Sequence, residues 1–512
     1  MIKKNYLFTI IVVLIFFSAL GIRLYDLTDV PLESHLVRQL RSLLIARSFY
    51  HGEGMGDASL IEPPIMEITS AFFYTLAGHE IPWVQRIISI TFWMLGGLAL
   101  FDLGKTISNK FGALISIVYY FFLPFSIITS RYMMPDPMMA ACTVLAIWTL
   151  IRWEKQRTMR WAVAAGLVTG YALLVKSVAG FILLPAFALF TLQVLPIKSI
   201  LKDKQVWTII GLTALPSLIF YIYGIFILGS LASQFQNRFF LNLLVDPAHY
   251  LRWLNVINNK LEIGIVIIAL ISLTLIKEKK YQYLLLGWWI GFVIYGLVFP
   301  YHIWTHDYYH MPLVPIVALS LSPLGGLVSK YLVDKEKTSK LNLALVLVSM
   351  LLYIVPNMWN TRVEFAREDF RQEGQNYQPI ANALVGYQDE KIISLSGDYG
   401  LRLEYFTQLK VASWPIQGDF RLGELSDRDF NFDRTWEETL DTYHFFIVLS
   451  QNELDRQPNL AAQLENYSVF YQGGGVIIYN LQQPVKTNFA PAELYNGFVT
   501  LFLNQAAASR VS

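Results

Sequence analysis

One cysteine, Cys142, stands among 512 residues. An intrachain disulfide is therefore excluded, and so is a cysteine-rich metal site. Charge is scarce as well. Asp, Glu, Lys and Arg make up 15% of the chain, against about 25% in soluble domains. The formal net charge of +2 is too small to point to nucleic acid. No internal repeat and no low-complexity tract is visible.

Apolar and aromatic residues take the place of charge. The chain is 54% hydrophobic, and apolar runs near twenty residues recur, which is the signature of membrane helices. The 13 Trp and 28 Tyr suit interfacial belts and sugar-stacking surfaces alike. Candidate spans are 6–25, 81–103, 112–130, 137–152, 161–178, 180–196, 206–229, 263–276, 282–299, 311–331 and 341–356, about eleven in all. Several fall short of the roughly 17 residues a membrane helix needs, so tilted, re-entrant or fused segments are expected among them. Small residues at Ser18-Ala19 would suit a cleaved leader. An uncleaved first helix is preferred, because the apolar character runs on to Leu24.

Loop charge gives an orientation. With the N-terminus in the cytoplasm, one set of short loops holds Lys105 and Lys110, then Arg152, Lys155, Arg157 and Arg160, and later Lys198–Lys204, Lys277–Lys280 and Lys335–Lys340. That follows the positive-inside rule. The long first loop, 26–80, falls on the other side with all eight histidines. After Pro356 the composition turns mixed and charged. Strands are expected near Lys391–Ser396 and Phe445–Leu449, a helix over Leu454–Asn466, and a hairpin around Gly473-Gly474-Gly475. The segment Phe498–Leu503 is too short to span. The expected fold is a polytopic α-helical membrane domain, 1–356, followed by a small external α/β domain, 357–512.

Four stretches can carry chemistry. In the first loop, Arg38-Gln39-Leu40-Arg41 and the apolar residues after it read as an amphipathic helix along the membrane. Arg38 and Arg41 suit a phosphate, because a guanidinium forms two parallel charge-assisted bonds; headgroup snorkelling is the plainer reading. Glu62-Pro63-Pro64 sets a carboxylate at a helix mouth, unless it only starts that helix. Asp136, between Pro135 and Pro137, can cap the next helix, serve chemistry, or do both. His302, His306 and His310 recur every four residues, so on one helix they would share a face. They could then hold a divalent metal with Glu62, or hydrogen-bond a phosphate or sugar. Lys176, at a span end, can neutralise phosphate or simply snorkel.

At these residues the chain resembles the polytopic GT-C glycosyltransferases of the glycosyltransferase family 39, protein O-mannosyltransferase and aminoarabinose-transferase superfamily. The resemblance rests on the ordered set Glu62-Pro63-Pro64, Asp136, Val175-Lys176-Ser177 and Asp307-Tyr308-Tyr309-His310-Met311-Pro312-Leu313 over residues 5–330. It implies transfer of a sugar from a polyprenyl-phosphate donor to an acceptor on the periplasmic face of a bacterial inner membrane, by one inverting displacement. It implies an acidic base and basic groups on the departing phosphate. Members usually carry an Asp-Glu pair about eight residues before Ala46-Arg47; here that register holds Arg38-Gln39. The base must therefore come from Glu62, Asp136, Asp57 or Glu33, the first two ranked ahead. Arg38, Gln39, Arg41, Lys176 and His306 are assigned to donor phosphate and sugar, with Asp307, Tyr309 and His310 completing the wall. A metal on Glu62 and His306 stays an option. Two rival readings remain: a carrier or flippase for lipid-linked saccharides, favoured by the missing Asp-Glu pair, and a binding protein whose outer domain does the work. The acceptors open to such a reaction are a lipid, a glycan or a protein.

Overall fold

The computed structural model describes residues 2–54, 62–227, 229, 231, 239–333, 339–425 and 429–485. Asp57 and the segment Phe498–Leu503 lie outside them. The chain divides into two compact units, 1–371 and 372–512.

In the first unit, each of the eleven expected segments is helical over most of its described residues. The order is α1 (Ile2–Leu24), α2 (Leu36–Tyr50), α3 (Ile65–Ala77), α4 (Val84–Ile107), α5 (Lys110–Phe122), α6 (Pro124–Thr129), α7 (Pro135–Gln156), α8 (Met159–Val175) and α9 (Ala179–Val194). Then come α10 (Ile197–Ile200), α11 (Lys204–Ile222), α12 (Pro247–Leu261), α13 (Ile263–Ser272), α14 (Lys279–Val298), α15 (Pro300–Thr305), α16 (Leu313–Ser320), α17 (Leu324–Leu327) and α18 (Ser339–Arg367). Among the described residues, 6 helices are long and apolar enough to cross a membrane, or 7 if the bent pair α12–α13 is one span. Four shorter apolar helices, α3, α5, α8 and α9, accompany them.

The short helices have local causes. Pro124 has no N–H to donate and ends the ladder of α5. The carbonyls freed there cannot turn to water inside a bilayer. Arg23, fully buried on α1, meets them: its Nη2 donates to the Phe121 carbonyl at 3.0 Å and its Nε to Ser130 Oγ at 2.7 Å. At the α12–α13 junction Glu262 takes a left-handed φ of 60°, and the two helices meet at 91°. The helix expected to stop at 356 continues to Arg367.

Close helix packing comes from small residues. Gly287 and Gly291, one turn apart on α14, lie against the backbone of α9 at Ala186 and Ile182. Without a hydrophobic force between helices in lipid, such contacts supply van der Waals packing.

The second unit is a five-stranded sheet of order β2-β1-β3-β5-β4, with β1 (Ile392–Leu395), β2 (Val411–Ser413), β3 (Phe445–Val448), β4 (Tyr467–Gly473) and β5 (Val476–Pro484). β1 pairs in parallel with β2 and β3; β5 joins β3 and β4 antiparallel. Alternate residues of β1 and β3 feed two cores. Ile393, Leu395, Phe446 and Val448 pack on one side with Trp414 and Trp436. Ile392, Phe445 and Ile447 pack on the other with Leu384 and Leu403. Both faces are covered, which is why β3 reads as an unbroken apolar run and β1 as one interrupted only by Ser394. The expected helix over Leu454–Asn466 is two short ones, Gln451–Asp455 and Pro458–Leu464, because Pro458 starts a new helix.

Candidate active site

Five segments converge on one cluster of charge. Arg38 lies in the first turn of α2, the amphipathic helix of the first loop. Glu62 stands ahead of Pro63 and Pro64, and the chain turns into α3 at Pro64, where Ile65 N–H donates to the Pro63 carbonyl at 2.8 Å. Asp136 lies in the first turn of α7, Lys176 in the extended break between α8 and α9, and Tyr308 and Tyr309 in a 3-10 turn after α15.

The contacts are direct. Arg38 Nη2 donates to both Glu62 oxygens, at 3.1 and 3.4 Å. Lys176 Nζ lies 2.7 Å from Asp136 Oδ1 and 3.6 Å from Glu62 Oε1. The same ammonium sits 5.4 Å from the centres of the Tyr308 and Tyr309 rings. Two cations and two carboxylates thus balance among aromatic walls. Burial opposes the charge on Arg38, but Glu62 and its neighbours outweigh it, and its pKa lies above the ordinary arginine value. Two polar atoms in this cluster, Arg38 Nε and Asp136 Oδ2, are buried with no hydrogen-bond partner among the described residues. One is a donor and the other an acceptor, and such groups are costly when left dry.

Asp136 does not cap α7. The helix starts at Pro135 with Met134 at the cap position and no side-chain bond there, so the carboxylate is left to Lys176. Gln39 is fully buried and its amide ties backbone together: Nε2 donates to the Ser34 carbonyl at 2.7 Å, and Oε1 accepts from Met133 N–H at 2.9 Å. It fixes the first loop against the Arg131–Pro135 turn. Arg41 is half-buried one turn along α2 from Arg38. Glu33 lies away from the cluster and accepts from Arg86 Nη2 at 3.2 Å.

The three histidines do not share a helical face, because α15 ends at Thr305 and His306 is extended, with φ −124°. Asp307 is gripped from two sides, by His35 Nε2 at 2.6 Å and Lys260 Nζ at 2.7 Å. His35 opens α2 in the left-handed region, φ 46°, a conformation that costs an ordinary residue roughly 1–2 kcal/mol. Tyr309 stacks on Tyr295 at 5.3 Å. His310 is buried, its Nδ1 donating to the Asp307 carbonyl at 3.2 Å. Desolvation, with the neighbouring His35 and the positive charges of Arg38 and Lys176, lowers the His306 pKa to about 4, so its imidazole is neutral at pH 7. Sequence reasoning assigned no role to His35, Lys260 or Tyr308. No spacing could have found the first pair, since His35 and Asp307 are 272 positions apart.

The metal expectation does not fit these residues. Among the described residues no three His, Cys, Asp or Glu side chains gather as a cation site. Glu62 already faces Arg38 and Lys176, and a divalent ion would have to sit against both charges.

The fold is that of the GT-C glycosyltransferases, as the ordered motifs implied. Residues 61–223 match the family model described as dolichyl-phosphate-mannose-protein mannosyltransferase. Among solved structures, ArnT from Cupriavidus metallidurans bound to undecaprenyl phosphate aligns with a TM-score of 0.58 at 13% identity, over 96% of this chain and 99% of that one. The archaeal oligosaccharyltransferase AglB from Archaeoglobus fulgidus, in complex with an inhibitory peptide and a dolichol-phosphate, aligns with a TM-score of 0.53 at 13% identity, over 96% of this chain and 75% of that one. Another structure of the Archaeoglobus fulgidus oligosaccharyltransferase, in complex with Zn and sulfate, aligns with a TM-score of 0.53 at 13% identity, over 85% and 67% of the two chains. No curated protein sequence matches significantly.

Proposed function

We propose that this chain is an integral-membrane glycosyltransferase that moves a sugar from a polyprenyl-phosphate donor to an acceptor at the periplasmic face of a bacterial inner membrane. The observation that carries the reading is the cluster of Arg38, Lys176, Glu62 and Asp136, with one buried donor and one buried acceptor unmet. A phosphate supplies oxygens for Arg38 Nε and Lys176. As it enters, it competes with Glu62 for both cations. Glu62 is thereby released to accept a proton, and Asp136 Oδ2 can orient a hydroxyl. The lysine- and arginine-rich loops of the opposite side support a cytoplasmic location for it, by the positive-inside rule. The fold shared with ArnT and AglB agrees with this class of chemistry.

The reaction is a single displacement. The acceptor oxygen forms its bond to the anomeric carbon as the bond from that carbon to the phosphate oxygen breaks. The departing lipid phosphate keeps the electron pair and is stabilised by Arg38 and Lys176. The acceptor proton passes to Glu62, or to Asp136 where the hydroxyl lies on that side. A carrier that only binds has no use for an acceptor atom beside the phosphate cations, and Asp136 Oδ2 therefore favours the transferase. Release of polyprenyl phosphate from labelled lipid-linked sugar is the test. Glu62→Gln and Asp136→Asn are expected to lose turnover. Intact turnover in both would overturn the reading, and sugar carried across vesicles without bond cleavage would establish the carrier instead.

A further inference from the structure

A polar cavity of about 180 Å³ opens between the start of the first loop, the turn at Arg131 and the end of α18. Five carboxylates and three guanidinium groups line it, with Ser34, Phe365 and Phe370. Arg131 is its distinctive feature. That side chain is only 4% exposed. Its Nη2 donates to the Asp26 carbonyl at 2.8 Å, and its guanidinium lies 4.0 Å from the centre of the Phe365 ring. Its Nη1 is buried with no partner among the described residues. The other buried arginine, Arg86, is occupied by the Leu27 and Asp29 carbonyls, at 2.8 Å each, and by Glu33. Burial lifts the Asp29 pKa above the usual carboxylate value.

These groups select their ligand by elimination. A phosphate or carboxylate would satisfy Arg131 but would face an excess of negative charge. An apolar group would leave the Arg131 N–H dry. A polyhydroxylated ring meets both needs: its oxygens accept from Arg131, and its hydroxyls donate to carboxylates such as Glu33 and Glu368. Phe365 and Phe370 offer apolar surface to its carbon face. The volume suits a single small ring and lies below the 300–1,000 Å³ of drug-sized pockets.

The cavity also adjoins the charge cluster. Ser34 lines it and donates to Tyr132 Oη at 2.7 Å. The next residue, His35, is bonded to Asp307, and the Ser34 carbonyl holds Gln39 beside Arg38. We infer that this cavity is the acceptor subsite and that it takes a saccharide ring, whether the ring belongs to a free glycan or to a glycolipid. The inference rests on the transferase reading and deepens it.

The experiment places a photoreactive benzoylphenylalanine at Phe365 of the full-length protein in bacterial cells. Irradiation is expected to give an adduct that carries carbohydrate by periodate labelling. Lipid extraction and mass analysis of the released fragment then distinguish a glycolipid from a free glycan. Replacing the exposed rim carboxylates, Glu364→Gln with Glu368→Gln, removes charged hydrogen-bond acceptors and should lower the adduct about tenfold. Affinity for undecaprenyl phosphate, measured on the same variant, should stay unchanged. An adduct of peptide alone or of phospholipid alone would overturn the assignment, as would weakened undecaprenyl phosphate binding. Normal release of polyprenyl phosphate with no carbohydrate adduct would overturn the subsite alone. A carbohydrate adduct in a protein that cleaves no donor would overturn the transferase reading.

Discussion

At the scale of single residues, Lys176 decides the site. It neutralises Asp136, which is 1% exposed, and also reaches Glu62. Removing one member of a buried ion pair costs about 3–5 kcal/mol, because the other charge is stranded. Lys176→Met should therefore lower the melting temperature strongly and abolish turnover. Adding Asp136→Asn should restore most of the stability and none of the turnover. A single variant as stable as the parent in thermal melts would contradict the pairing. His306 supplies a pH signature. Its folded pKa is lowered, to about 4 from an ordinary 6.5, so the unfolded chain binds a proton first as pH falls. Its contribution to stability is complete above pH 6.5 and is lost as pH falls towards 4. His306→Gln should make the melting temperature less sensitive to acid across that window. An unchanged acid dependence would count against the shift.

At the scale of elements, polar rungs fasten α2 to the segment between Glu62 and Glu80: Arg38 to Glu62, Ser42 Oγ to Glu67 at 2.6 Å, and Arg47 to Glu80 at 3.0 Å. Entry of a phosphate would release the first rung while the other two hold the helix in place. The packing of α9 on α14 yields a sharper expectation. A methyl group at Gly287 would stand 2.7 Å from Ala186 Cα, and one at Gly291 would press on the Ile182 carbonyl. Gly287→Ala and Gly291→Ala should destabilise the protein, whereas Gly211→Ala on α11 meets nothing within 4 Å and should not. Thermal melts of the three variants in detergent decide this, and equal effects would refute the close approach. The elements themselves were legible, because a bilayer forces backbone groups into helices and so writes long apolar runs into the chain. Breaks were less so: Pro124 announces the end of α5, but the bend at Glu262 has no such marker. β2 went unseen because Val411–Ser413 is three residues long and only half-buried.

At the scale of the whole molecule, the site depends on segments far apart in the chain. Glu62, Asp136 and Lys176 could be singled out from prolines and span ends, yet their meeting at Lys176 Nζ could not. Gln39 looked like a ligand beside Arg38 and is a buried brace. Asp136 could be read as a cap, a chemical group or both, and it is an ion-pair partner that caps nothing. Such reassignments are invisible locally, because a side chain's role is set by what the fold brings to it. The central claim is that two cations at this meeting point hold a lipid phosphate. The direct measurement is the affinity of full-length protein in lipid nanodiscs for undecaprenyl phosphate, compared among the parent, Arg38→Gln and a Lys176→Met/Asp136→Asn double variant that keeps the fold. Binding by the parent and a loss of about tenfold or more in each variant is expected, since a hydrogen bond to a charged group is worth about 1.5–3 kcal/mol. Equal affinity in all three would contradict the account.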